Sequence, residues 1–375
     1  MTFQFEVLHQ STKSRARLGR ITTAHGVIET PNFVAVGTHG TLKAVDNSLA
    51  DDLGVQLMFC NTYHLLLQPG PDIVEQAGGL HSFIGRRGPI ITDSGGFQVF
   101  SLAGGEVADE LKSRRAKKGE GSVLKIDEEG VLFRSYRDGR KILLTPESSI
   151  DAQKAFGADI IVAFDELLPY QVDERALRSS LARTHRWEER SLSRHLKNPR
   201  GQALYAVLHG GVNEELRRES ASFLTGLPFD GFAIGGSLGK DLSEMAGMLT
   251  QLLPQLPKEK PNHLLGIGDL PSLHRSIPLG IDTFDSSYPT RAARHGLLLT
   301  EQGPLKIDKK EHQASTIPIC QECSCPTCLR FSRAYLHHLF KAKELIAYSL
   351  ATLHNLYFMI AEMKRIRLAI SDNRI

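Results

Sequence analysis

The chain has 375 residues, of which 41% are hydrophobic and 23% charged, and its net charge is +3. This composition is typical of a globular protein with room for one large domain or two ordinary ones, and the small net charge alone indicates no nucleic-acid partner. The N-terminus, MTFQFEVLHQ, lacks a signal-peptide pattern, and no apolar run approaches the length of a membrane span. We therefore expect a cytoplasmic enzyme without membrane contact.

The predicted elements begin with an N-terminal β-hairpin. Eight short apolar runs follow, each of which ends in polar or glycine residues before a helix-like stretch. The runs are FVAVGTHG (33–40), QLMFCNTYH (56–64), PIITDSGG (89–96), IIVAFDE (160–166), ALYAVLHGG (203–211), GFAIGGS (231–237), HLLGIGD (263–269) and GIDTFDS (280–286). Strands that alternate with helices indicate βαβ units, and eight units over ~250 residues favour an α/β fold built on a (β/α)₈ TIM barrel.

Two segments interrupt this alternation. Residues 103–122 are charged and glycine-rich, which is typical of a mobile surface loop, although the basic stretch 111–119 could touch RNA. Residues 123–145 predict a small antiparallel sheet with a turn at Asp138-Gly139. After residue 330 the apolar spacing is helical. We predict a barrel with its hairpin and an insertion at about 103–145 within residues 1–310, and a metal-binding helical subdomain over residues 311–375.

Three of the predicted strands end on an aspartate, namely Asp93, Asp165 and Asp285, and two others end on glycine pairs. The strand ends of a barrel form one rim, where active sites lie. A single aspartate there usually caps a helix, but three beside glycines indicate a site. Converging carboxylates suit chemistry at a sugar anomeric carbon, and a glycine-lined floor near Phe97 suits a planar heterocycle. We predict glycosyl transfer at a nucleobase, with an unrelated barrel glycosidase as the alternative.

The stretch CQECSCPTC (320–328) contains four of the five cysteines, which indicates a metal site rather than a disulfide framework. A complete Cys₄ set would include Cys320. Four ligands so close together would require the chain to bend very tightly around the ion. Zinc sites usually take some of their ligands from a second, distant segment. His354, His337 and His338 are candidates for a ligand from the C-terminal helices.

Several motifs together resemble the tRNA-guanine transglycosylase (queuine tRNA-ribosyltransferase) family, bacterial type. They are TDSGGFQVFSL (92–102), FCNTYHLLLQPG (59–70), TPESSIDAQ (145–153), FDELLPY (164–170), YPTRAARHG (288–296) and the CxCxxC motif with a distant LHN (353–355). The resemblance extends from about residue 4 to residue 370. It implies exchange of guanine 34 in tRNAs with GUN anticodons for a 7-deazaguanine base, by double displacement through a covalent ribosyl-aspartate. An inactive tRNA-binding partner subunit and an archaeal-type enzyme, which carries a further RNA-binding domain, are the alternatives within the family.

The resemblance also implies roles for individual residues. Asp285 matches the nucleophile, and Asp93 matches the general acid/base. The residues expected to bind the base are Ser94, Gly95, Gly96, Phe97, Asp165, His209, Gly235, Gly236, Ser237 and Leu265. Two loops are expected to contact the anticodon loop of tRNA, one with Gly266, Ile267, Gly268, Asp269, Leu270, Pro271 and Ser272 and the other with Thr290, Arg291, Ala292, Ala293 and Arg294.

The resemblance assigns one structural Zn²⁺ per chain to Cys323, Cys325, Cys328 and His354, which leaves Cys320 as an extra thiol. It also implies a homodimer formed through this module, with Phe331, Tyr335 and His338 near the contacts. Leu167, His209 and Ser237 depart from the usual family pattern. The choice between pre-queuosine base and queuine therefore stays open.

Overall fold

The structure, a computed structural model, describes residues 3–103 and 123–375. The predicted surface loop, with its basic stretch 111–119, therefore lies outside the described residues apart from its first residue. The strands are, in chain order, β1 (Gln4–Gln10), β2 (Arg17–Thr23), β3 (Gly26–Thr30), β4 (Asn32–Val36), β5 (Met58–Cys60), β6 (Ile90–Thr92), β7 (Val123–Ile126), β8 (Val131–Arg134), β9 (Lys141–Leu144), β10 (Ile160–Val162), β11 (Ala203–Leu208), β12 (Gly231–Ile234), β13 (Asn262–Leu264), β14 (Thr283–Ser286), β15 (Leu297–Leu298) and β16 (Leu305–Lys306).

The helices of the described residues alternate with these strands. They are α1 (Asn47–Leu53), α2 (Thr62–Leu67), α3 (Pro71–Gln76), α4 (Leu80–Ile84), α5 (Gly96–Ala103), α6 (Pro146–Phe156), α7 (Glu174–Leu196), α8 (Glu214–Thr225), α9 (Leu242–Leu252), α10 (Leu270–Ser276), α11 (Tyr288–Arg294), α12 (Arg333–Ala342) and α13 (Leu345–Ser371). Several helices begin just after a polar residue, because its side chain accepts a hydrogen bond from one of the first free backbone N–H groups of the helix. Asp173, Asn213 and Asp241 cap α7, α8 and α9 in this way.

Eight parallel strands close into a barrel in the order β4, β5, β6, β10, β11, β12, β13, β14 and back to β4. Each strand overlaps one of the eight predicted apolar runs, so the predicted TIM barrel is confirmed. The principal core lies between the barrel and its helices, and a second cluster that includes Ile91, Val162 and Val207 fills the interior.

The predicted N-terminal hairpin is a three-stranded antiparallel sheet, because β1 adds to the hairpin of β2 and β3. Ile21 and Ile28 from this sheet are fully buried in the barrel's interior cluster. Strands β7, β8 and β9 form the predicted small antiparallel sheet, and Gly139 takes a φ of +73° in its turn. That positive φ explains the glycine at this position.

Helix α13 joins the C-terminal module to the barrel. Ala347 and Ala351 in its first half pack into a cluster with Cys325 and Cys328, whereas Met359 and Met363 in its second half belong to the principal core. The predicted division near residue 310 stays a prediction. Among the described residues, the helices are all too short or too polar to span a membrane.

Candidate active site and metal centre

Three of the predicted site residues continue the inward face of a barrel strand. Asp93 comes two residues after Ile91 and His209 two residues after Val207, and both hydrophobic residues face the interior. Asp285 follows Phe284, which packs outward into the helix layer. Since successive strand residues point to opposite faces, all three side chains point into the barrel at its C-terminal rim.

Asp93 lies just after β6 and is only 7% exposed. Its Oδ2 accepts a hydrogen bond from Asn61 Nδ2 at 2.8 Å, and its Oδ1 accepts one from the Thr62 backbone N–H at 2.7 Å. Burial raises the pKa of Asp93 to about 6, against the lowering effect of these hydrogen bonds, and the charge of Asp285 adds to the increase. A carboxyl group with this pKa can both donate and accept a proton near neutral pH.

Asp285 is held through one carboxylate oxygen. Its Oδ1 accepts a hydrogen bond from the Gly266 backbone N–H at 2.9 Å and lies 3.1 Å from Nε2 of His263. Both of these contacts from the described residues fall on Oδ1, so Oδ2 is the oxygen available to a ligand. The sequence analysis did not identify His263, although its place two residues before Leu265 on an inward strand face was a usable signal.

Asp165 and His209 form a direct pair, with Nε2 of His209 2.8 Å from Oδ2 of Asp165. The other oxygen, Oδ1, accepts a hydrogen bond from Ser94 Oγ at 3.0 Å. The segment after Asp93 therefore touches the Asp165 loop, and a Cβ on Gly96 would lie only 2.8 Å from the carbonyl oxygen of Asp165. An imidazole that faces an ionised carboxylate carries its proton on the facing nitrogen, so Nε2 of His209 is the donor.

The glycine pair after β12 lies against this site. A Cβ on Gly235 would be 2.7 Å from Val207 Cγ1, and one on Gly236 would be 2.9 Å from Nδ1 of His209. Side chains are thus excluded at both positions, as expected for a floor that a flat ligand approaches closely.

A fully buried arginine that the sequence analysis missed connects the two glycine loops. Arg217 on α8 is 1% exposed, and its guanidinium donates to four backbone carbonyl oxygens at 2.6–3.1 Å, those of Leu208, Gly211, Gly235 and Ser237. Burial lowers the pKa of Arg217 to about 9, which leaves it charged at neutral pH. In sequence it is indistinguishable from its exposed neighbour Arg218.

The remaining predicted base-binding residues surround the aspartates. Phe97 on α5 is 43% exposed, so its ring is accessible to a ligand. Leu265 is half-buried and lies next to Gly235. Ser237 lines a cavity of ≈ 200 Å³ with His209 and Gly236. Leu167, in contrast, is buried in a hydrophobic cluster that also contains Phe164 and Trp187.

The predicted tRNA-contacting segments lie on the same rim. Residues 266–272 extend from the loop after β13 into the first turn of α10. Gly266 holds Asp285, and Asp269 caps the helix. The segment from Thr290 to Arg294 was expected to be a loop, but it lies in helix α11, which has a proline in its first turn. Arg291 and Arg294 are exposed, whereas Ala292 and Ala293 are buried.

The predicted zinc ligands lie together between the barrel and α13. The sulfur atoms of Cys323, Cys325 and Cys328 are 3.8, 3.5 and 3.4 Å from Nδ1 of His354. Tetrahedral zinc with bonds of ~2.3 Å to sulfur and ~2.0 Å to nitrogen places such atoms about 3.6 Å apart. His354 Nε2 lies 2.8 Å from the carbonyl oxygen of Leu299, which puts the proton on Nε2 and leaves Nδ1 for a metal. This Cys₃His set fits a closed structural site for one metal ion.

The other candidate ligands are outside this cluster. Cys320 neighbours His354, but its sulfur is not among the four ligand atoms that lie together in the described residues. His337 is buried, with its Nδ1 2.9 Å from the carbonyl oxygen of Ile307, and His338 is exposed. A Cys₄ site that includes Cys320 therefore does not match the structure.

A second group, His25, His81 and Asp159, lies near the N-terminal end of β10 and also brings possible ligand atoms together. The two imidazole rings are stacked, with centroids 3.5 Å apart and planes 13° from parallel. Since an imidazole binds a metal in its own ring plane, two stacked rings do not direct their lone pairs at one ion. His25 Nδ1 instead lies 2.8 Å from Oδ1 of Asp159, so the group is best described as a hydrogen-bonded cluster.

Comparison with known proteins gives a consistent match over the whole chain. The family model described as queuine tRNA-ribosyltransferase matches residues 11–375. A queuine tRNA-ribosyltransferase from Protochlamydia amoebophila is 67% identical over 373 residues, which cover 100% of this chain and 96% of the relative. Proteins of the same name from Chlamydia caviae and Chlamydia abortus are 54% and 55% identical, with 100% of both chains covered in each case.

Proposed function

The chain belongs to the queuine tRNA-ribosyltransferase family and is a tRNA ribosyltransferase, a type of pentosyltransferase, and we propose that it exchanges guanine 34 of tRNAs with GUN anticodons for a 7-deazaguanine base. The incoming base is pre-queuosine base or queuine. The proposal depends mainly on one observation: two carboxyl groups with different surroundings lie on the same rim of the barrel. Asp93 has a pKa raised to about 6, and Asp285 has one oxygen held and the other available.

Base recognition in this proposal depends on Asp165. Its two oxygens already accept hydrogen bonds from Ser94 and His209, which fix the carboxylate plane. Each oxygen keeps a second lone pair for the N–H groups on the edge of a guanine-like base. Phe97 is accessible for stacking on one face of the base, and Leu265 and the Gly235-Gly236 floor form the opposite side of the pocket.

The first displacement uses both catalytic carboxyl groups. Asp285 Oδ2 attacks C1′ of the ribose while the bond from C1′ to N9 of guanine breaks, and Asp93 gives a proton to the departing base. The product is a ribosyl ester of Asp285, which divides one difficult substitution into two easier ones. In the second displacement the incoming base attacks C1′, loses its proton to Asp93 and releases Asp285. A raised pKa suits Asp93 to this alternation between acid and base.

The tRNA anticodon loop would be bound by the rim around Asp285. The exposed Arg291 and Arg294 project from α11, which follows the Asp285 strand directly. Arginine side chains at such a position suit phosphate or base-edge contacts beside the reacting nucleotide. Residues 266–272 line the neighbouring strand end.

The Cys₃His cluster would hold one structural Zn²⁺, because its four protein ligands complete a tetrahedral site. The metal would fix the segment 323–328 to helix α13. A homodimer through this module is consistent with the stacked pair Phe331 and Tyr335, of which Tyr335 is 42% exposed. We expect the enzyme to meet its tRNA in the cytoplasm.

An inactive tRNA-binding partner subunit is the alternative. The presence of both Asp93 and Asp285 in hydrogen-bonded, inward-facing positions favours an active enzyme.

In the deciding experiment, the purified protein is incubated with tRNA that has a GUN anticodon. Each reaction also contains one radiolabelled base, which is guanine, pre-queuosine base or queuine. We expect incorporation of guanine and at least one 7-deazaguanine base, and none into a matched tRNA with adenine at position 34. Binding of the tRNA without incorporation of any base would contradict the enzymatic proposal and favour the partner subunit.

A further inference from the structure

His263 is a buried histidine in direct contact with the proposed nucleophile. It lies on β13 with 0% exposure, and its ring is nearly parallel to that of Phe59, with centroids 6.1 Å apart. Its Nε2 is 3.1 Å from Oδ1 of Asp285, and its Nδ1 is 2.8 Å from Oγ1 of Thr283. Both ring nitrogens therefore have partners on the adjacent strand β14.

These contacts determine where the imidazole carries its proton. With Asp285 ionised, Nε2 must carry the hydrogen, because the opposite tautomer would set a nitrogen lone pair against a carboxylate oxygen. Nδ1 then accepts from the Thr283 hydroxyl, which has a hydrogen to donate. The carboxylate of Asp285 thus selects the tautomer of His263, and the Thr283 hydroxyl satisfies Nδ1 in that tautomer.

Two donors converge on the same oxygen, since the Gly266 N–H also points at Oδ1, at 2.9 Å. If Oδ2 forms the bond to C1′, Oδ1 becomes the carbonyl oxygen of the ester. Donors in fixed positions bind a charged carboxylate more strongly than a neutral ester carbonyl. They therefore stabilise the state in which Asp285 is free relative to the state in which it is esterified.

We propose that His263 is a positioning residue that makes Asp285 a better leaving group and so speeds breakdown of the ribosyl ester. This inference rests on the proposed function, because it requires Asp285 to be the nucleophile. Thr283 supports His263 by donating a hydrogen bond to its Nδ1.

The two chemical steps show where the effect arises. In the first, a lone pair of Oδ2 forms the bond to C1′, and the electron pair of the C1′–N9 bond goes to guanine, which takes a proton from Asp93. The negative charge leaves Asp285 in this step. In the second, N9 of the incoming base gives its proton to Asp93 and bonds to C1′, and the pair of the C1′–Oδ2 bond returns to Asp285. The charge therefore returns next to the His263 N–H as the ester breaks.

The test compares His263→Phe, His263→Gln and Thr283→Val with the wild type in single turnover. Each protein is mixed with tRNA, the denaturation-resistant tRNA–protein adduct is quantified, and labelled guanine is then added to discharge it. In His263→Phe we expect adduct breakdown to slow by about 10- to 100-fold, the usual effect of losing one hydrogen bond to a developing charge. The adduct should also reach a higher level than in the wild type at equal free guanine.

His263→Gln and Thr283→Val test whether the hydrogen bond from His263 to Asp285 is what speeds breakdown of the adduct. Glutamine retains an N–H donor, so His263→Gln should recover part of the breakdown rate. Thr283→Val is isosteric and leaves the histidine in place, but it removes the hydroxyl that donates to Nδ1, so it should slow breakdown by a smaller factor than His263→Phe.

A merely structural role for His263 would disorder Asp285 and lower the adduct level together with the rate. That result, or an unchanged breakdown rate in both His263→Phe and Thr283→Val, would overturn the inference. If the wild type itself exchanges base without forming an adduct, or exchanges no base, the proposed function fails first and the inference falls with it.

Discussion

Asp165 and His209 come from the ends of the neighbouring strands β10 and β11, and a 2.8 Å contact joins Oδ2 of the aspartate to Nε2 of the histidine. Under the proposed function, a histidine at this position would act on the base through the carboxylate. It orients Asp165 from one side while Ser94 orients it from the other.

Asp165→Asn tests this role in base recognition. An asparagine can keep its oxygen toward His209 and turn its amide nitrogen toward Ser94 Oγ, so the fold should be retained. It loses the charge that strengthens hydrogen bonds to the base. We expect the KM for guanine to rise about 10- to 100-fold with a smaller change in kcat, in a base-exchange assay. Asp151→Asn, which alters a surface pair with Arg194, is the control, and equal KM values in the two variants would contradict the role.

Asp93→Asn should change how stability depends on pH. The pKa of Asp93 is about 6 in the folded protein against 3.8 for an ordinary aspartate. The folded state therefore holds more protons between about pH 4 and pH 6, and the contribution of Asp93 to stability falls as pH rises through that window. Asparagine does not titrate. Relative to the wild type, the variant should gain about 1–2 kcal/mol of unfolding free energy between pH 5 and pH 8.

Urea unfolding at the two pH values measures this difference. The variant should also lose base exchange, because its side chain cannot transfer the proton. A stability difference that is the same at both pH values would show that Asp93 is already ionised at pH 5.

Arg217→Met should damage both the fold and the base site, since it removes a donor from four carbonyl oxygens, and the contacts to Leu208 and Gly235 are fully buried. Unsatisfied buried groups of this kind are expensive, and we expect a loss of at least about 3 kcal/mol together with a higher KM for the base. Thermal and urea unfolding measure the first effect, and base exchange measures the second.

Arg218→Met is the matched control for Arg217. Arg218 is the next residue, is 59% exposed and pairs with Glu214 on the surface. Its replacement should change stability by no more than about 0.5 kcal/mol. Similar losses in the two variants would contradict the connecting role of Arg217.

Removal of the metal should unfold the C-terminal module. Elemental analysis should find one zinc per chain in the wild type, and Cys323→Ser and His354→Ala should lower the zinc content and the melting temperature. Cys320→Ser is the matched control, because Cys320 lies outside the cluster. Full loss of zinc in Cys320→Ser would show that Cys320 is a ligand instead.

Much of this architecture could be predicted from the sequence, because the signals are local. The alternation of short apolar runs with amphipathic stretches predicts the eight barrel strands, and the aspartates at their ends predict a shared rim. The family motifs predict the Cys₃His cluster. The predicted N-terminal hairpin has three strands rather than two, and β1 pairs with β2 through a register shift between Val7 and His9.

The residues that the sequence analysis missed act through contacts between distant segments. His263 matters because β13 and β14 pair side by side and bring its ring to Asp285, 22 residues away. Arg217 matters because α8 packs where two strand ends meet. Helix α11 was expected to be a loop, although Pro289 suits the first turn of a helix. A local pattern can place a residue on an inward strand face or at a helix start, but it does not say which distant residue that side chain contacts.

Adduct formation by Asp285→Asn and Asp285→Ala shows directly whether Asp285 is the nucleophile. Asparagine keeps an oxygen to accept the Gly266 and His263 hydrogen bonds but removes the nucleophilic carboxylate. After mixing with guanine-34 tRNA and denaturation, the wild type should show a tRNA–protein adduct on a gel. Both variants should show none and no base exchange, while their tRNA affinity stays within about threefold of the wild type. An adduct or base exchange at the wild-type level in either variant would contradict Asp285 as the nucleophile.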